Sequence, residues 1–266
     1  MISAKKSLGQ NFLIDNNIIN KIINITNIEG KYVLEIGPGT GNLTTELLKK
    51  NPFKLILIEK DKKLCHLLEE KFKKDERVVI YNKDILLLDV EKVINKNTII
   101  FGNLPYNIST QILVKLIKLD KWPPKYDCLI LMFQKEVAQR INAKCNTKEY
   151  GRISIIAQFR LKIVNHFIVS KNCFLPKPKV ESSVLVFKPI FKPSIEIKDL
   201  RYLEQITQIF FSNRRKMINK ALKKLFGKNE NISRNLELDL SKRPGEIEKE
   251  LYYKITKYFE SSNNFI

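Results

Sequence analysis

Short apolar runs bounded by Gly, Pro, Asn or Asp alternate with amphipathic stretches over the first two thirds of the chain. The rhythm predicts strands at 31–36, 54–59, 78–82, 98–102 and 126–133. Helices are predicted at 41–50, 61–74, 109–119, 135–141 and 153–158. These strands lack a two-residue alternation and are apolar on both sides, as a parallel sheet covered by helices requires. Two later strands, 162–169 and 182–187, flank a proline-rich stretch, and the reading then turns helical at 199–211, 214–226 and 247–259. Lys192-Pro193 marks a linker, the end at 261–264 is Asn-rich and expected to fray, and no repeat is present. The expectation is a doubly wound α/β domain over 1–190 followed by a small helical domain over 191–266.

Composition adds a partner class. The 266 residues are 44% hydrophobic and 29% charged, which excludes disorder. Lys and Arg number 48 against 28 Asp and Glu, a formal +20, so a polyanion is the expected partner, nucleic acid ahead of membrane surface. The bias runs to 39 Lys and 9 Arg, which genome composition also produces. It is not confined to a tail: 32 basic and 18 acidic residues precede position 191, and 16 and 10 follow. A binding surface has to be assembled by folding.

The cysteines, Cys65, Cys128, Cys145 and Cys173, have no zinc-ligand spacing, and His66 and His166 are the only histidines. A metal centre or a histidine-based triad is not expected. No segment approaches the roughly 18 consecutive apolar residues of a membrane span, and reduced thiols, a cytoplasmic address and a monomer are expected.

The strongest local signal is Glu35-Ile36-Gly37-Pro38-Gly39-Thr40-Gly41-Asn42, where the first strand passes into the first helix. Glycines there permit a tight turn and the approach of a ligand to backbone amides. The pattern departs from a dinucleotide fingerprint, because the third glycine comes one residue early and Glu35 puts negative charge where a pyrophosphate would sit. A cationic ligand suits this better, and S-adenosylmethionine is one. Glu59, ending the second predicted strand, is placed to accept hydrogen bonds from ribose hydroxyls, and Asp84, after the third, from an adenine amine. Taken singly, each acid also reads as a solvated loop carboxylate or a helix cap.

The fourth predicted strand runs into Asn103-Leu104-Pro105-Tyr106-Asn107-Ile108-Ser109. Asn-x-Pro-Tyr at this place resembles the catalytic motif of methyltransferases acting on the adenine amino group. With Leu at its second position, and with Leu8-Gly9-Gln10-Asn11-Phe12-Leu13 upstream, the chain resembles the ribosomal RNA adenine dimethyltransferases. Phe174-Leu175-Pro176-Lys177-Pro178-Lys179-Val180-Glu181-Ser182 and Asn213-Arg214-Arg215-Lys216 match further segments of that family, so that the resemblance runs from about Lys6 to Tyr258. It is closer to the KsgA type, acting on two adjacent adenines near the end of small-subunit rRNA, than to the Erm type acting on large-subunit rRNA. The resemblance implies a Rossmann-like class I S-adenosylmethionine-dependent methyltransferase fold, with Asn11 and Leu13 lining the cofactor site.

The chemistry explains the residues. Adenine N6 is a poor nucleophile, and an acceptor near its hydrogens favours a pyramidal nitrogen and takes up developing positive charge. The side-chain oxygen of Asn103 and the carbonyl oxygen of Leu104 suit that role. Tyr106 offers an aromatic face to an extruded base, and Phe174, by the family match, a second; by itself Phe174 reads as core. In the tail, Met217, Ile218, Ala221, Leu222 and Leu225 share one helical face and Lys216, Lys220, Lys223 and Lys224 the other, a basic stripe suited to an RNA backbone or simply to solvent. Lys5 and Lys6 are candidate phosphate contacts or a solvated terminus. Open alternatives are the Erm-type activity, a DNA adenine methyltransferase, and an assembly factor whose binding to an immature subunit matters more than catalysis.

Overall fold

The structure is a computed structural model describing Lys5 and residues 9–227 and 231–263. Lys6, Leu8 and Asn264 lie outside the described residues. The chain divides into two compact units, 1–138 with 162–189, and 139–161 with 190–266.

In chain order the elements are β1 (Phe12–Leu13), α1 (Asn16–Ile23), β2 (Tyr32–Ile36), α2 (Asn42–Leu48), β3 (Lys54–Glu59), α3 (Lys62–Phe72), β4 (Val78–Asn82), α4 (Val90–Val93), β5 (Thr98–Asn103), α5 (Ser109–Ile117), β6 (Tyr126–Gln134), α6 (Lys135–Ile141), α7 (Arg152–Arg160), β7 (Leu161–Val169), β8 (Phe174–Leu175), β9 (Ser182–Pro189), α8 (Leu200–Phe211), α9 (Asn219–Phe226), α10 (Asn231–Asn235) and α11 (Lys249–Asn263).

The first unit is built on a seven-stranded sheet in the order β4-β3-β2-β5-β6-β9-β7. β2 to β6 run parallel, with β2 between β3 and β5, so the strand order reverses at β2. The crevice at that reversal, beyond the carboxyl ends of β2 and β5, is where open α/β sheets bind ligands. Val33, Leu34, Leu55, Leu57, Ile99, Ile100 and Phe101 are each 0% exposed, the two-sided burial that the unalternating runs require. β9, for which the sequence set no direction, pairs antiparallel with β6 from Leu129↔Phe187 to Gln134↔Ser182. β1 and β8 form a separate antiparallel pair, Phe12↔Leu175 and Leu13↔Phe174, which ties the start of the chain to the proline-rich segment.

Helix starts follow capping chemistry. Asp15 accepts from the N–H of Ile18 at α1, and Asp61 from that of Lys63 at α3. α2 begins instead behind Gly41, whose left-handed φ of 77° suits glycine.

The second unit is helical, with an aromatic core. Phe159 meets Tyr253 at 4.8 Å between ring centroids and Phe210 meets Tyr252 at 5.3 Å, both edge-on. The buried hydroxyls are satisfied: Tyr252 donates to Pro244 O and Tyr253 to Ile155 O. The boundary expected at 190 therefore needs a second cut, because 139–161 group with the tail. Phe159, on α7, finds its aromatic partner on α11, a pairing that local periodicity does not reveal. α9 also starts later than expected, at Asn219. Met217 precedes it and is 50% exposed, while Ile218 and Leu222 are buried and Lys216, Lys220, Lys223 and Lys224 are exposed.

Candidate cofactor and base site

Nine of the ten candidate site residues line one cavity of about 220 Å³ at the reversal point, and Phe174 does not. Its floor is the turn after β2. Gly39 has φ 58°, its N–H donates to Glu59 Oε2 at 3.3 Å, and a Cβ there would stand 2.7 Å from Phe12 Cδ1. Gly37 has φ 69°, and a Cβ on it would lie 3.6 Å from the carbonyl oxygen of Asn103. The glycine turn and the Asn103 turn are thus direct neighbours across the cavity. The Lys71 ammonium, from α3, donates to Thr40 O and Gly41 O, each at 3.1 Å, and holds the turn from behind.

Three acids sit at or beside this floor. Glu35 is 2% exposed and accepts a 2.6 Å hydrogen bond from Thr44 Oγ1. Burial pushes its carboxyl up to about 7, with the Thr44 bond opposing, the negative charge of Glu59 adding and Lys71 opposing. Burial also pushes Glu59 up, against hydrogen bonds from the N–H groups of Asp61 (2.8 Å) and Gly39. The N–H groups of Asp61, Gly39 and Lys60 take up part of the Glu59 carboxylate, which keeps acceptor capacity for a ligand. Asp61, buried at the start of α3, would be raised by desolvation, but bonds from Lys5 Nζ, the Lys63 N–H and Gln10 Nε2 hold it below the usual carboxylate range.

Asp84 lies on the cavity wall beyond β4. The Lys60 ammonium at 2.8 Å holds its carboxyl low, against burial, and its other oxygen accepts from the Leu86 N–H. The loop-cap reading of Asp84 is therefore realised, with acceptor capacity left over.

The start of the chain crosses the cavity as a strap. Asn103 Nδ2 donates to Asn11 O at 2.8 Å, and Asn42 Nδ2 to Leu13 O at 2.9 Å. Leu13 is 5% exposed and lines the cavity with Asn11 and Phe12.

Asn103 ends β5. Because a carbonyl only accepts, the bond to Asn11 fixes which amide atom is nitrogen and turns Oδ1 away from the strap. Oδ1 accepts no bond from the described residues, and no buried side-chain polar atom among them lacks a partner, so Oδ1 is reachable from the cavity. Leu104 is 1% exposed; a Cβ on Gly102 would meet its Cδ2 at 2.6 Å. The carbonyls of Pro105 and Tyr106 accept from Ile108 N–H and Ser109 Oγ, whereas that of Leu104 accepts nothing from the described residues. Tyr106 is half-buried, and its hydroxyl lies 2.7 Å from Ser182 Oγ.

Phe174 requires a correction. It is 2% exposed, paired with Leu13 and packed in the core of the first unit, not across the cavity from Tyr106. An apolar ring beside a buried strand pair gains more from desolvation than from facing a polar cavity, so the core reading of Phe174 prevails. Phe12, Lys71, Asp61 and Ser182 join the site without having been expected there. Ser182 closes the proline-rich segment that begins at Phe174, a position that could have drawn notice; for Lys71 no local signal exists, since its partners lie elsewhere in the chain, and Asp61 reads locally only as the cap of α3.

Among the described residues no three His, Cys, Asp or Glu side chains gather so as to hold a metal, and no helix is long and apolar enough to cross a membrane.

A family model described as "Ribosomal RNA adenine dimethylase" matches residues 1–261. "Ribosomal RNA small subunit methyltransferase A" of Pelagibacter ubique (strain HTCC1062) is 46% identical over 97% of this chain and 98% of that protein. The protein of the same name from Mycoplasmopsis synoviae (strain 53) is 43% identical over 84% of each chain. Among solved structures, a dimethyladenosine transferase from Plasmodium falciparum superposes with a TM-score of 0.74 at 25% identity, covering 96% of this chain and 98% of that one. The 23S rRNA methyltransferase ErmE, at TM-score 0.68 and 22% identity over 94% of this chain and all of that one, shares the fold.

Proposed function

The chain belongs to the ribosomal RNA adenine dimethylase family, and on that premise we propose that it dimethylates N6 of two adjacent adenosines near the 3′ end of small-subunit rRNA, with S-adenosylmethionine as donor. The observation that carries this reading is the free Oδ1 of Asn103 on the same cavity as the Gly37–Gly41 turn.

The cavity suits the donor. Its buried acids, two of them raised by desolvation, are what a cation would compensate; Gly37 and Gly39 both hold a left-handed backbone, and a side chain at Gly39 would push the Phe12 ring out of place. Glu59 would hold the ribose, Asp84 the adenine amine, and Asn11, Phe12 and Leu13 the near wall. When bound, the donor supplies an activated methyl on a positively charged sulfur. Asn103 Oδ1 and the Leu104 carbonyl accept the N6 hydrogens, so that the nitrogen can pyramidalise and the developing positive charge meets two oxygens. The nitrogen is far more acidic after each transfer and sheds its proton without a strong base. Holding N6 in line accounts for most of the remaining acceleration. Tyr106 offers the stacking face that offsets the cost of extruding the base.

The partner is the immature small subunit, which this protein meets in the cytoplasm as a monomer, and the exposed lysines of α9 contribute to binding the RNA backbone. The small-subunit assignment rests on the relatives at 43–46% identity, both named for that subunit, whereas the likeness to ErmE is one of fold. Incubation with unmodified small or large subunits and labelled S-adenosylmethionine, followed by nucleoside analysis, tests the reading. Dimethyladenosine in small-subunit rRNA is expected; label only in large-subunit rRNA would overturn it.

A further inference from the structure

Tyr106 and Ser182 are 76 positions apart, and their hydroxyl oxygens lie 2.7 Å apart. Ser182 is 0% exposed and opens β9, opposite Gln134 at the end of β6. Its neighbours anchor it on both sides: Glu181 O accepts from the Lys135 N–H at 3.0 Å and the Glu181 carboxylate meets Lys135 Nζ at 2.7 Å, while Ser183 Oγ donates to Phe167 O. The Ser182 backbone therefore cannot shift without the strands on either side of β9. At its other end Tyr106 is held by its turn, through Ile108 N–H to Pro105 O and Ser109 Oγ to Tyr106 O.

The hydroxyl lies on the Cβ–Cγ–Cζ axis of the side chain, so the bond to Ser182, with the anchored turn, fixes the direction of that axis, and hence χ1, before any RNA arrives. Phenylalanine would present the same stacking face, so the bond to Ser182 is what the hydroxyl adds. Ser182 and Val184 point to one side of β9, and Val184 lines the cavity. With Phe174 in the core, Ser182 is a residue of that segment that touches a side chain of the base site, Tyr106.

We propose that Ser182 is a positioning residue for adenine methylation, its hydroxyl fixing the direction of the Tyr106 side chain and so the place at which its ring meets the extruded base; this rests on the reading above. A preset platform spares the complex the cost of ordering the ring at the moment of reaction.

The test uses the full chain and unmodified small subunits, comparing Ser182→Ala, Tyr106→Phe, the double variant and Ser182→Thr. Binding of S-adenosylhomocysteine should stay within about twofold in all four, because the bond lies on the base side of the cavity. kcat should fall by about tenfold or more in Ser182→Ala and Tyr106→Phe alike, no further in the double variant, and recover in Ser182→Thr, since both single changes break one bond. A wild-type rate for Ser182→Ala, losses that multiply in the double variant, or Thr behaving as Ala would overturn the proposal. Should Ser182→Ala lose cofactor binding through misfolding, Tyr106→Phe, which removes one oxygen from a half-buried ring, decides alone. Wild-type protein that binds S-adenosylhomocysteine but leaves small subunits unmethylated would instead sink the functional reading.

Discussion

Asn103 Nδ2 lies 2.8 Å from the carbonyl oxygen of Asn11, so the residue proposed to receive the adenine amine also fastens the strap over the cavity. One amide serves two ends: its nitrogen is engaged by the strap and its oxygen left for the substrate. Asn103→Ala should lower the methylation rate on small subunits by at least about 100-fold, the scale of removing a group that meets developing charge. Asn103→Asp should lower it too, and both variants, having no hydrogen to give Asn11, should loosen cofactor binding, Asp the more because it sets two acceptors face to face. Calorimetric titration with S-adenosylhomocysteine checks this; wild-type affinity in both variants would separate Asn103 from the strap.

Glu35 predicts a pH-dependent stability. Its carboxyl is raised from 4.5 to about 7 in the folded protein, so between those values the folded state binds more protons than the unfolded one. The contribution is present below pH 4.5 and is lost as pH rises through about 7, amounting to about 3 kcal/mol at most. Scanning calorimetry of the cofactor-free protein should show Tm falling between about pH 5 and about pH 8, with a shallower slope in Glu35→Gln. Parallel slopes would remove Glu35 as the source. A cationic ligand nearby should also draw the proton off, so binding near pH 6 should release about one proton, read from the dependence of binding heat on buffer ionisation.

Gly39→Ala combines a left-handed φ of 58° with a Cβ 2.7 Å from the Phe12 ring. The backbone strain is on the order of 1–2 kcal/mol, enough to lower Tm by a few degrees in a chain of this size. The displaced ring should cost cofactor affinity as well. Phe12→Leu in the same chain should restore part of that affinity and none of the backbone strain, a split that binding and melting measurements read separately.

Lys220, Lys223 and Lys224 on α9 should act on RNA alone. Changing all three to Gln should weaken subunit binding and flatten its dependence on salt, by about 0.9 in the log–log slope for each phosphate no longer neutralised. Cofactor affinity should not move. An unchanged slope would return these lysines to the role of a solvated face.

Leu104, 1% exposed, is the position at which a proline would stiffen the turn. The second transfer needs space for the first methyl to rotate aside, so Leu104→Pro should raise the ratio of mono- to dimethyladenosine. An unchanged ratio in nucleoside analysis would exclude Leu104 from that choice.

The sequence by itself determined the local units. β3 and β4 fall at the expected residues, because short apolar runs bounded by polar breakers mark strands whether they are buried on both faces, as β3 is, or half-buried at the sheet edge, as β4 is. Gly37, Gly39, Glu59, Asp84 and Asn103 were legible for a related reason: in a parallel sheet the carboxyl ends of the strands converge on one crevice, so residues at those ends meet without further information. Only the tertiary structure decided the antiparallel return of β9, the docking of α7 against α8 and α11, the withdrawal of Phe174 into the core and the meeting of Tyr106 with Ser182. Periodicity reports which face of an element is buried and is silent on what buries it. Which residues meet across dozens of positions depends on how the chain returns, and that is settled by packing the whole core at once.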